Sequence, residues 1–308
     1  MTMTKKLTYS LFILVLCVVT NLSAQQTAVF SEYNYNPFLI NSAYAGMLSS
    51  TELSATHSGF ISEVTGSPRT LSLTINSPLR DGKVGLGAGF LQDEVGVSKN
   101  STFFATYSYK IFFDFESNRP YWQLYQPGVL SFGITAGLQQ HKEDLLSLGI
   151  MNDPNFSENI NASVPTIGVS FLFNHAQFFA GVSAPNVVGD KLASRDDLNL
   201  SNPIYGYFGY RFFTSIFEEV MIKPNVLLKH EGGAPLQADL NIAASFKNKV
   251  EVGVGYRTSS SINLLAGVYF LKNLRFIYNY NVAFKETPFG NTHGLALSYL
   301  FGDGYQID

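Results

Sequence analysis

The sequence predicts an all-β protein: an antiparallel transmembrane β-barrel of about 14 strands, with an N-terminal periplasmic or plug-like segment. Segments of about 9 to 12 residues alternate apolar and polar side chains, the length that a tilted membrane-spanning strand needs. Charged residues make up 14% of the chain and aromatic residues another 14%, with 26 glycines, which suits an exported protein that faces lipid. After residue 24 no apolar run approaches the roughly 18 residues of a membrane-spanning helix, which leaves a closed barrel. A soluble β-sandwich, the alternative fold, would normally carry more charge.

The first 24 residues are typical of a cleaved secretory signal. Lys5 and Lys6 supply the basic region, residues 11–19 the apolar core, and residues 22–24 a small-residue cleavage site. The single cysteine, Cys17, lies in the apolar core, so the exported chain is expected to lack disulfides and thiolate sites. The predicted location is the cell outer membrane.

The period-2 segments also predict strand positions and faces. In residues 250–256 valine and tyrosine point one way while Glu251, Gly253 and Gly255 point the other, and in residues 84–90 all glycines share one face. We expect the glycine and polar face to line the lumen and the apolar face to contact lipid. The predicted strands are Thr51–Phe60, Pro68–Ser77, Lys83–Leu91, Thr102–Phe113, Gly128–Gln140, Val164–Phe173, Gln177–Ala184, Ile204–Phe213, Met221–Lys229, Leu236–Phe246, Lys249–Arg257, Ile262–Leu271, Leu274–Val282 and Thr292–Phe301.

Connection lengths predict the topology independently. With a periplasmic N-terminus, even-numbered connections should be short turns and odd-numbered ones longer. The connections at 174–176, at Asn248 and at Lys272-Asn273 are short, as this topology requires. The last two contain asparagine, which suits a tight hairpin turn. Residues 140–163 and 185–203 are the largest outward connections. The long periplasmic connection, 114–127, is the exception, and its aromatic residues are expected to be either interfacial anchors or contacts with a periplasmic partner.

No residue pattern indicates an enzyme, a cofactor or a metal site. The glycine-rich stretches lie inside strands with no helix after them, unlike a nucleotide-binding loop. The histidines lack the spacing of a catalytic triad or a metal site. Acidic residues in the two long loops lack the pattern of a calcium loop, so solvation is favoured over calcium binding: Asp153, Glu158, Asp190, Asp196 and Asp197. Removing two signal lysines from the formal charge of -3 leaves about -5, which argues against nucleic acid.

The stretch from Phe30 to Gly46 differs from both of its neighbours. It reads F-S-E-Y-N-Y-N-P-F-L-I-N-S-A-Y-A-G, and its five aromatic residues are poor choices for a solvated linker. We expect it to pack into or against the periplasmic mouth, with Asn34, Asn36 and Asn41 hydrogen-bonding there. The predicted domains are a signal peptide (1–24), an N-terminal periplasmic or plug segment (25–49), the barrel (50–301) and a C-terminal tail (302–308).

The same stretch resembles the N-terminal signature of the PorP/SprF family, which acts in type IX secretion and gliding in Bacteroidetes. The matching pieces are F-S-x-Y at 30–33, N-P at 36–37 and I-N-S-A-Y-A-G at 40–46, with weaker likeness at 181–186 and 298–301. The chain departs from the family pattern at Glu32, usually Gln, at Ser42, usually Pro, and in continuing past Phe301.

The resemblance implies a non-enzymatic accessory or anchoring barrel, without cofactor, for type IX protein secretion and for export or attachment of a gliding-type surface adhesin. Its implied partners are outer-membrane lipid, type IX secretion or gliding components and a secreted surface adhesin. The alternative is a channel or transporter for small or hydrophobic solutes, because the architecture also resembles long-chain fatty-acid transporters. Candidate partner contacts are Phe30, Tyr33, Asn36, Pro37, Asn41, Tyr44, Gly46, Tyr121, Trp122 and Tyr125.

Overall fold

Strands that follow one another in antiparallel order make up most of the chain. The structure, a computed structural model, describes residues 32–62, 66–113, 120, 122–125, 128–150, 153–188, 202–214, 219–232, 234–258, 260–284 and 290–305. The strand segments are β1 (Glu52–Ser62), β2 (Arg69–Leu79), β3 (Val84–Val95), β4 (Ser98–Phe112), β5 (Val129–Glu143), β6 (Ile160–Asn174), β7 (Phe178–Ala184), β8 (Ile204–Tyr210), β9 (Phe212–Thr214), β10 (Val220–His230), β11 (Gln237–Phe246), β12 (Val250–Arg257), β13 (Ser261–Phe270), β14 (Leu274–Ala283) and β15 (Thr292–Leu300).

These segments form one closed sheet. Successive strands pair with each other, and β15 pairs with β1 to close the ring. Segments β8 and β9 are two parts of one strand interrupted at Arg211, because both pair with β10 in a continuous register. The protein is therefore a closed antiparallel barrel of 14 strands, which confirms the predicted fold class and strand number.

The two faces of the barrel differ in polarity, as the alternation predicts. Along β2 the apolar side chains at 71, 73 and 75 are 40–49% exposed, whereas the Thr, Ser and Asn side chains between them are buried. On β12 the valines at 250, 252 and 254 point outward while Glu251 is buried. A polar lumen and an apolar outer belt are the pattern of a barrel that faces lipid.

We name the two edges of the barrel after the chain ends and the loops that lie at them. The terminal rim contains the start of β1, the end of β15 and the turns at 80–83, 175–177, 247–249 and 271–273, and the opposite edge is the loop rim. Exposed aromatic side chains lie at strand ends along the terminal rim, as in the aromatic girdle of membrane barrels: Phe112, Phe113, Phe212, Phe246, Phe270 and Phe301.

Three terminal-rim turns have two consecutive residues with positive φ, as type I′ hairpins require. The pairs are Arg80-Asp81, Lys247-Asn248 and Leu271-Lys272. The role predicted for Asn248 is confirmed, but that for Asn273 is wrong, because Asn273 follows the turn and donates to the Leu300 and Gly302 carbonyls. On the loop rim, β3 and β4 are joined by residues 96–97 alone, which is shorter than predicted.

The helical segments of the described chain are short 3-10 turns at Glu32–Asn34, Pro37–Leu39, Ser42–Tyr44, Leu145–Leu148 and Pro154–Phe156. Across the residues described, no helix has the length and apolar character needed to span a membrane.

Candidate functional site

A plug, defined as residues 32–47, lies inside the lumen as three consecutive 3-10 turns. Pro37 begins the second turn, where its missing N–H costs little. The Asn41 side chain accepts a 2.8 Å hydrogen bond from the Ala43 N–H and caps the third turn. Gly46 has φ +63°, a left-handed conformation that glycine adopts without strain. The Asn, Pro and Gly residues that distinguish this stretch from a strand therefore build a compact insert.

The barrel wall surrounds the plug and buries most of its side chains. Its residues Tyr33, Tyr35, Phe38, Ile40 and Tyr44 are each at most 7% exposed. Most of them pack in one cluster with wall side chains from β5 to β10: Val129, Leu172, Phe179, Tyr205, Tyr207 and Leu227. Burial raises the pKa values of Tyr33 and Tyr44 well above their ordinary range, so both phenols stay neutral.

Polar contacts fix the plug to strands around the ring. The three asparagines predicted to hydrogen-bond do so: Asn34, Asn36 and Asn41 donate at 3.3, 3.0 and 3.0 Å to Asn241 Oδ1, Thr74 Oγ1 and Tyr207 OH. These acceptors lie on β11, β2 and β8, so the three bonds reach separate parts of the wall.

Small polar side chains of the wall form hydrogen bonds with the backbone of the plug. Ser183, Ser131 and Ser108 donate to the carbonyls of residues 40, 43 and 45 at 2.6, 2.8 and 2.8 Å. Asn76 Oδ1 accepts from the Gly46 N–H at 3.0 Å. Buried backbone groups need such partners, so serines on the lumen face replace the hydrogen bonds that a strand would have made.

Glycines on the lumen face leave space for the plug. A Cβ at Gly87 would lie 2.5 Å from Phe38 Cζ, and one at Gly133 would lie 2.6 Å from the Ser42 carbonyl carbon. A Cβ at Gly85 would collide with the Ala45 carbonyl. The glycine face predicted for the lumen is therefore present, and at Gly85, Gly87 and Gly133 it leaves room for the plug.

Two further segments pack below the plug at the terminal rim. The inner loop, residues 120 and 122–125, folds inward, and Trp122 is 1% exposed. The tail, residues 302–305, turns back into the mouth and buries Tyr305. Asn248 joins the two segments, because its Nδ2 donates to the Trp122 carbonyl at 3.0 Å and to the Tyr305 carbonyl at 3.3 Å.

A buried charge network links the tail, the plug and the barrel. Arg275 Nη2 donates to the Tyr35 carbonyl at 2.8 Å and to Glu52 Oε1 at 3.1 Å. The Tyr305 hydroxyl donates to the same Glu52 oxygen, and its ring lies 5.0 Å from the Arg275 guanidinium. Desolvation raises the pKa of Tyr305, which keeps it a neutral donor.

A cavity of about 150 Å³ lies on the loop-rim side of the plug. Plug residues 38–42 form its floor, and Phe104, Tyr205 and several hydroxyl and amide side chains form its walls. Asp93 contributes a buried carboxylate that accepts a 2.7 Å hydrogen bond from Thr70. The recess is thus partly apolar, with polar groups around it.

The candidate contact residues fall into two groups. Tyr33, Asn36, Pro37, Asn41, Tyr44 and Gly46 belong to the plug, while Trp122 and Tyr125 lie in the mouth beneath it. Phe30 and Tyr121 lie outside the described residues. The interpretation of Trp122 as a lipid-interface anchor is wrong, because its side chain is buried inside the mouth. Sequence reasoning missed the wall residues Arg275, Glu52 and Ser131 and the tail residue Tyr305, whose partners lie far away in sequence.

Within the part of the chain that the structure describes, no group of three or more His, Cys, Asp or Glu side chains could hold a metal ion. This covers Asp153 and Glu158 of one acidic loop. Asp190, Asp196 and Asp197 of the other loop lie outside the described residues.

Comparison with known proteins gives a family match and distant structural neighbours. A family model described as type IX secretion system membrane protein PorP/SprF matches residues 22–299. No curated protein sequence matches the chain significantly. The toluene transporter TbuX of Ralstonia pickettii is 11% identical, with 86% of this chain and 93% of TbuX covered and a TM-score of 0.50. Omp33 of Acinetobacter baumannii is 8% identical, with 83% of this chain and 100% of Omp33 covered and a TM-score of 0.45. At 11% identity, the likeness to TbuX concerns the fold alone.

Proposed function

Because this chain belongs to the PorP/SprF family of type IX secretion system membrane proteins, we propose that it is a closed accessory or anchoring barrel rather than an enzyme. In this role it supports export or surface attachment of a secreted adhesin. Family and barrel fold together support an outer-membrane location. Removal of residues 1–24 as a signal peptide is part of the proposal, and N-terminal sequencing of the membrane-inserted protein tests it.

The observation that carries the proposal is the filled lumen. The plug is buried and hydrogen-bonded to strands on several sides of the barrel, and the inner loop and tail pack beneath it. A barrel of this size encloses either a channel or a filled interior. Since the interior here is occupied by the chain itself, the protein is expected to act through surfaces at its two rims.

The terminal rim supports contacts with periplasmic components. In bacterial barrels the edge with short turns faces the periplasm. On that edge Leu124 and Tyr125 remain partly exposed beside the buried Trp122. We assign the candidate residues of the plug an indirect role, in which Tyr33, Tyr44 and their neighbours hold the shape of this mouth.

The loop rim supports contacts with a secreted partner. In the connection between β5 and β6, Leu146, Leu148 and Ile150 are 56%, 47% and 45% exposed. Strands β5 and β6 each run 15 residues, longer than the roughly 9–11 that span a bilayer, so this connection projects beyond the membrane. Exposed apolar side chains outside the lipid belt are typical of an interaction surface.

Deletion of the gene, followed by assays of secretion and surface display, tests the proposal. Loss of display of at least one adhesin, restored by the wild-type gene, is expected. Complementation with a Leu146→Ser/Leu148→Ser variant should restore barrel insertion but not display, whereas Ser147→Ala, as a matched control, should restore both. Unchanged display of every surface adhesin in the deletion strain would refute the role.

A transporter for small or hydrophobic solutes is the second candidate, and the cavity of about 150 Å³ above the plug favours it. Such a transporter would bind solute in this recess and move the plug to release it. Uptake of radiolabelled solutes into liposomes that contain the purified protein distinguishes the two functions, because an anchoring barrel gives no uptake above empty liposomes.

A further inference from the structure

Two cationic side chains face each other inside the barrel. Ile222 pairs with Phe212 and Asn225 with Gly209, so the register places Arg211 directly opposite Lys223. Both side chains line the same small cavity between the plug and the wall. Like charges directly opposite on one face of a sheet repel each other, and removal from water strengthens the repulsion.

The charge of Arg211 is not balanced by a carboxylate among the described residues. Arg211 is 2% exposed, and its terminal nitrogens donate to the His175 and Ala176 carbonyls and to Asn174 Oδ1. Its guanidinium lies 4.8 Å from the centre of the Tyr125 ring and 4.7 Å from that of Phe179, and its Nε has no hydrogen-bond partner among the described residues. A buried guanidinium with neutral partners and an unused donor is costly unless an anion lies nearby.

Lys223 is only partly neutralised. Its Nζ lies 3.5 Å from Glu251 Oε1 and 3.5 Å from the Asn34 carbonyl, both at the long end of the contact range. Glu251 also accepts a 2.9 Å hydrogen bond from Tyr269, so this carboxylate is shared. Lys223 therefore retains donor capacity toward the cavity.

The hydroxyl of Tyr44 adds a third donor to the same cavity. Asn41 donates to the Tyr207 hydroxyl at 3.0 Å, and the Tyr44 ring stacks on the Tyr207 ring with centroids 6.0 Å apart. The Tyr44 hydroxyl therefore has a proton to donate to a ligand in the cavity. Because burial raises the pKa of Tyr44, this proton is retained at physiological pH. No carboxylate is found among the described residues that line the cavity.

We propose that this cavity is a binding site for a small monovalent inorganic anion, chloride in the native setting, held by Arg211, Lys223 and the Tyr44 hydroxyl. The cavity measures about 30 Å³, which is room for one such ion or about two water molecules. An anion there balances the positive charges of Arg211 and Lys223, both of which line the cavity. It also ties the plug, through Tyr44, to the wall strands.

Bromide substitution tests the site directly. Crystals of the full-length protein grown in sodium bromide, with data collected at the bromine absorption edge, should show an anomalous peak in the cavity between Arg211 and Lys223. Density for water without an anomalous peak would overturn the proposal.

Thermal unfolding supplies a second test in solution. At constant ionic strength, chloride should raise the Tm of the detergent-solubilised protein relative to gluconate, which is too large for the cavity. Tyr44→Phe should raise the chloride concentration needed for half of this effect by roughly tenfold, because a hydrogen bond to a charged group is lost. Tyr35→Phe, which removes a hydroxyl from the same plug outside this cavity, should leave the chloride response unchanged. An equal response in all three proteins, or no response in the wild type, would contradict the site.

Discussion

At the scale of single residues, the hydrogen-bonding groups and the shape of the lumen wall complement the backbone of the plug. Serines at 108, 131 and 183 lie where plug carbonyls need donors, and glycines lie where the plug approaches most closely. These side chains are too small and too polar to stand out as functional in a sequence. The serines contact plug residues more than 60 positions away in the chain, so their role becomes clear only in the folded protein.

Replacement of a lumen glycine tests this match. Gly133→Ala places a methyl group 2.6 Å from the Ser42 carbonyl carbon, so the plug backbone has to move. We expect destabilisation of about 1–3 kcal/mol, the usual cost of overpacking, measured by chemical unfolding in detergent. Gly206→Ala is the matched control, because a Cβ there meets no atom within 4 Å. Equal stability of both variants would show that the plug does not press on the wall.

Replacement of two buried cations by methionine should lower the stability of the barrel by different amounts. Arg275→Met leaves Glu52 buried without its cation, which is expected to cost about 3–5 kcal/mol. Lys110 donates to the Ala45 carbonyl at 2.6 Å and has no carboxylate partner among the described residues. Lys110→Met should therefore cost much less, since Ser108 still donates to that carbonyl. Unfolding midpoints of the two variants give the comparison, and an equal loss would contradict it.

At the scale of elements, three segments that are not strands meet at the terminal rim: the plug, the inner loop and the tail. Trp122 packs edge-on against Phe213 at 6.1 Å, and Tyr305 packs edge-on against Tyr269 at 5.5 Å. The tail is therefore part of the closure and not an appendage to the last strand.

Truncation of the chain tests the role of the tail. Removal of residues 302–308 should leave a barrel that inserts, because β15 and its pairing with β1 are kept, but should expose the inner loop to protease near Trp122. Removal of residues 306–308 alone keeps Tyr305 and should leave the loop protected. Limited proteolysis of both variants in native membranes is the measurement, and equal protection would show that the tail does not close the mouth.

The strands could be predicted because lipid on one side and a polar lumen on the other impose a period of two on every segment. Residues 70–76 and 250–256 show this period directly, and the structure follows it. The plug has no such period, since its 3-10 turns are held by partners from many strands. Its burial and its asparagine contacts could be predicted from composition, but its turns and its partners could not. Trp122 illustrates the limit, because an aromatic residue at a rim suits both the lipid interface and the barrel mouth.

At the scale of the whole molecule, the barrel and its contents form one closed body. The chain belongs to a family of type IX secretion system membrane proteins, and the filled interior supports the proposal that it acts by binding at the rims rather than by conduction. Strand number and fold class could be predicted from the sequence, whereas closure of the lumen depends on contacts such as Arg275 with Tyr35, 240 positions apart.

Conductance in planar lipid bilayers tests the closed lumen most directly. We predict no steady current through the full-length protein. A variant lacking Gln25–Gly46 should insert and conduct, because the hydrogen bonds and packing that fill the lumen are gone. A steady open-channel current through the full-length protein, equal to that of the variant, would contradict a closed, anchoring barrel.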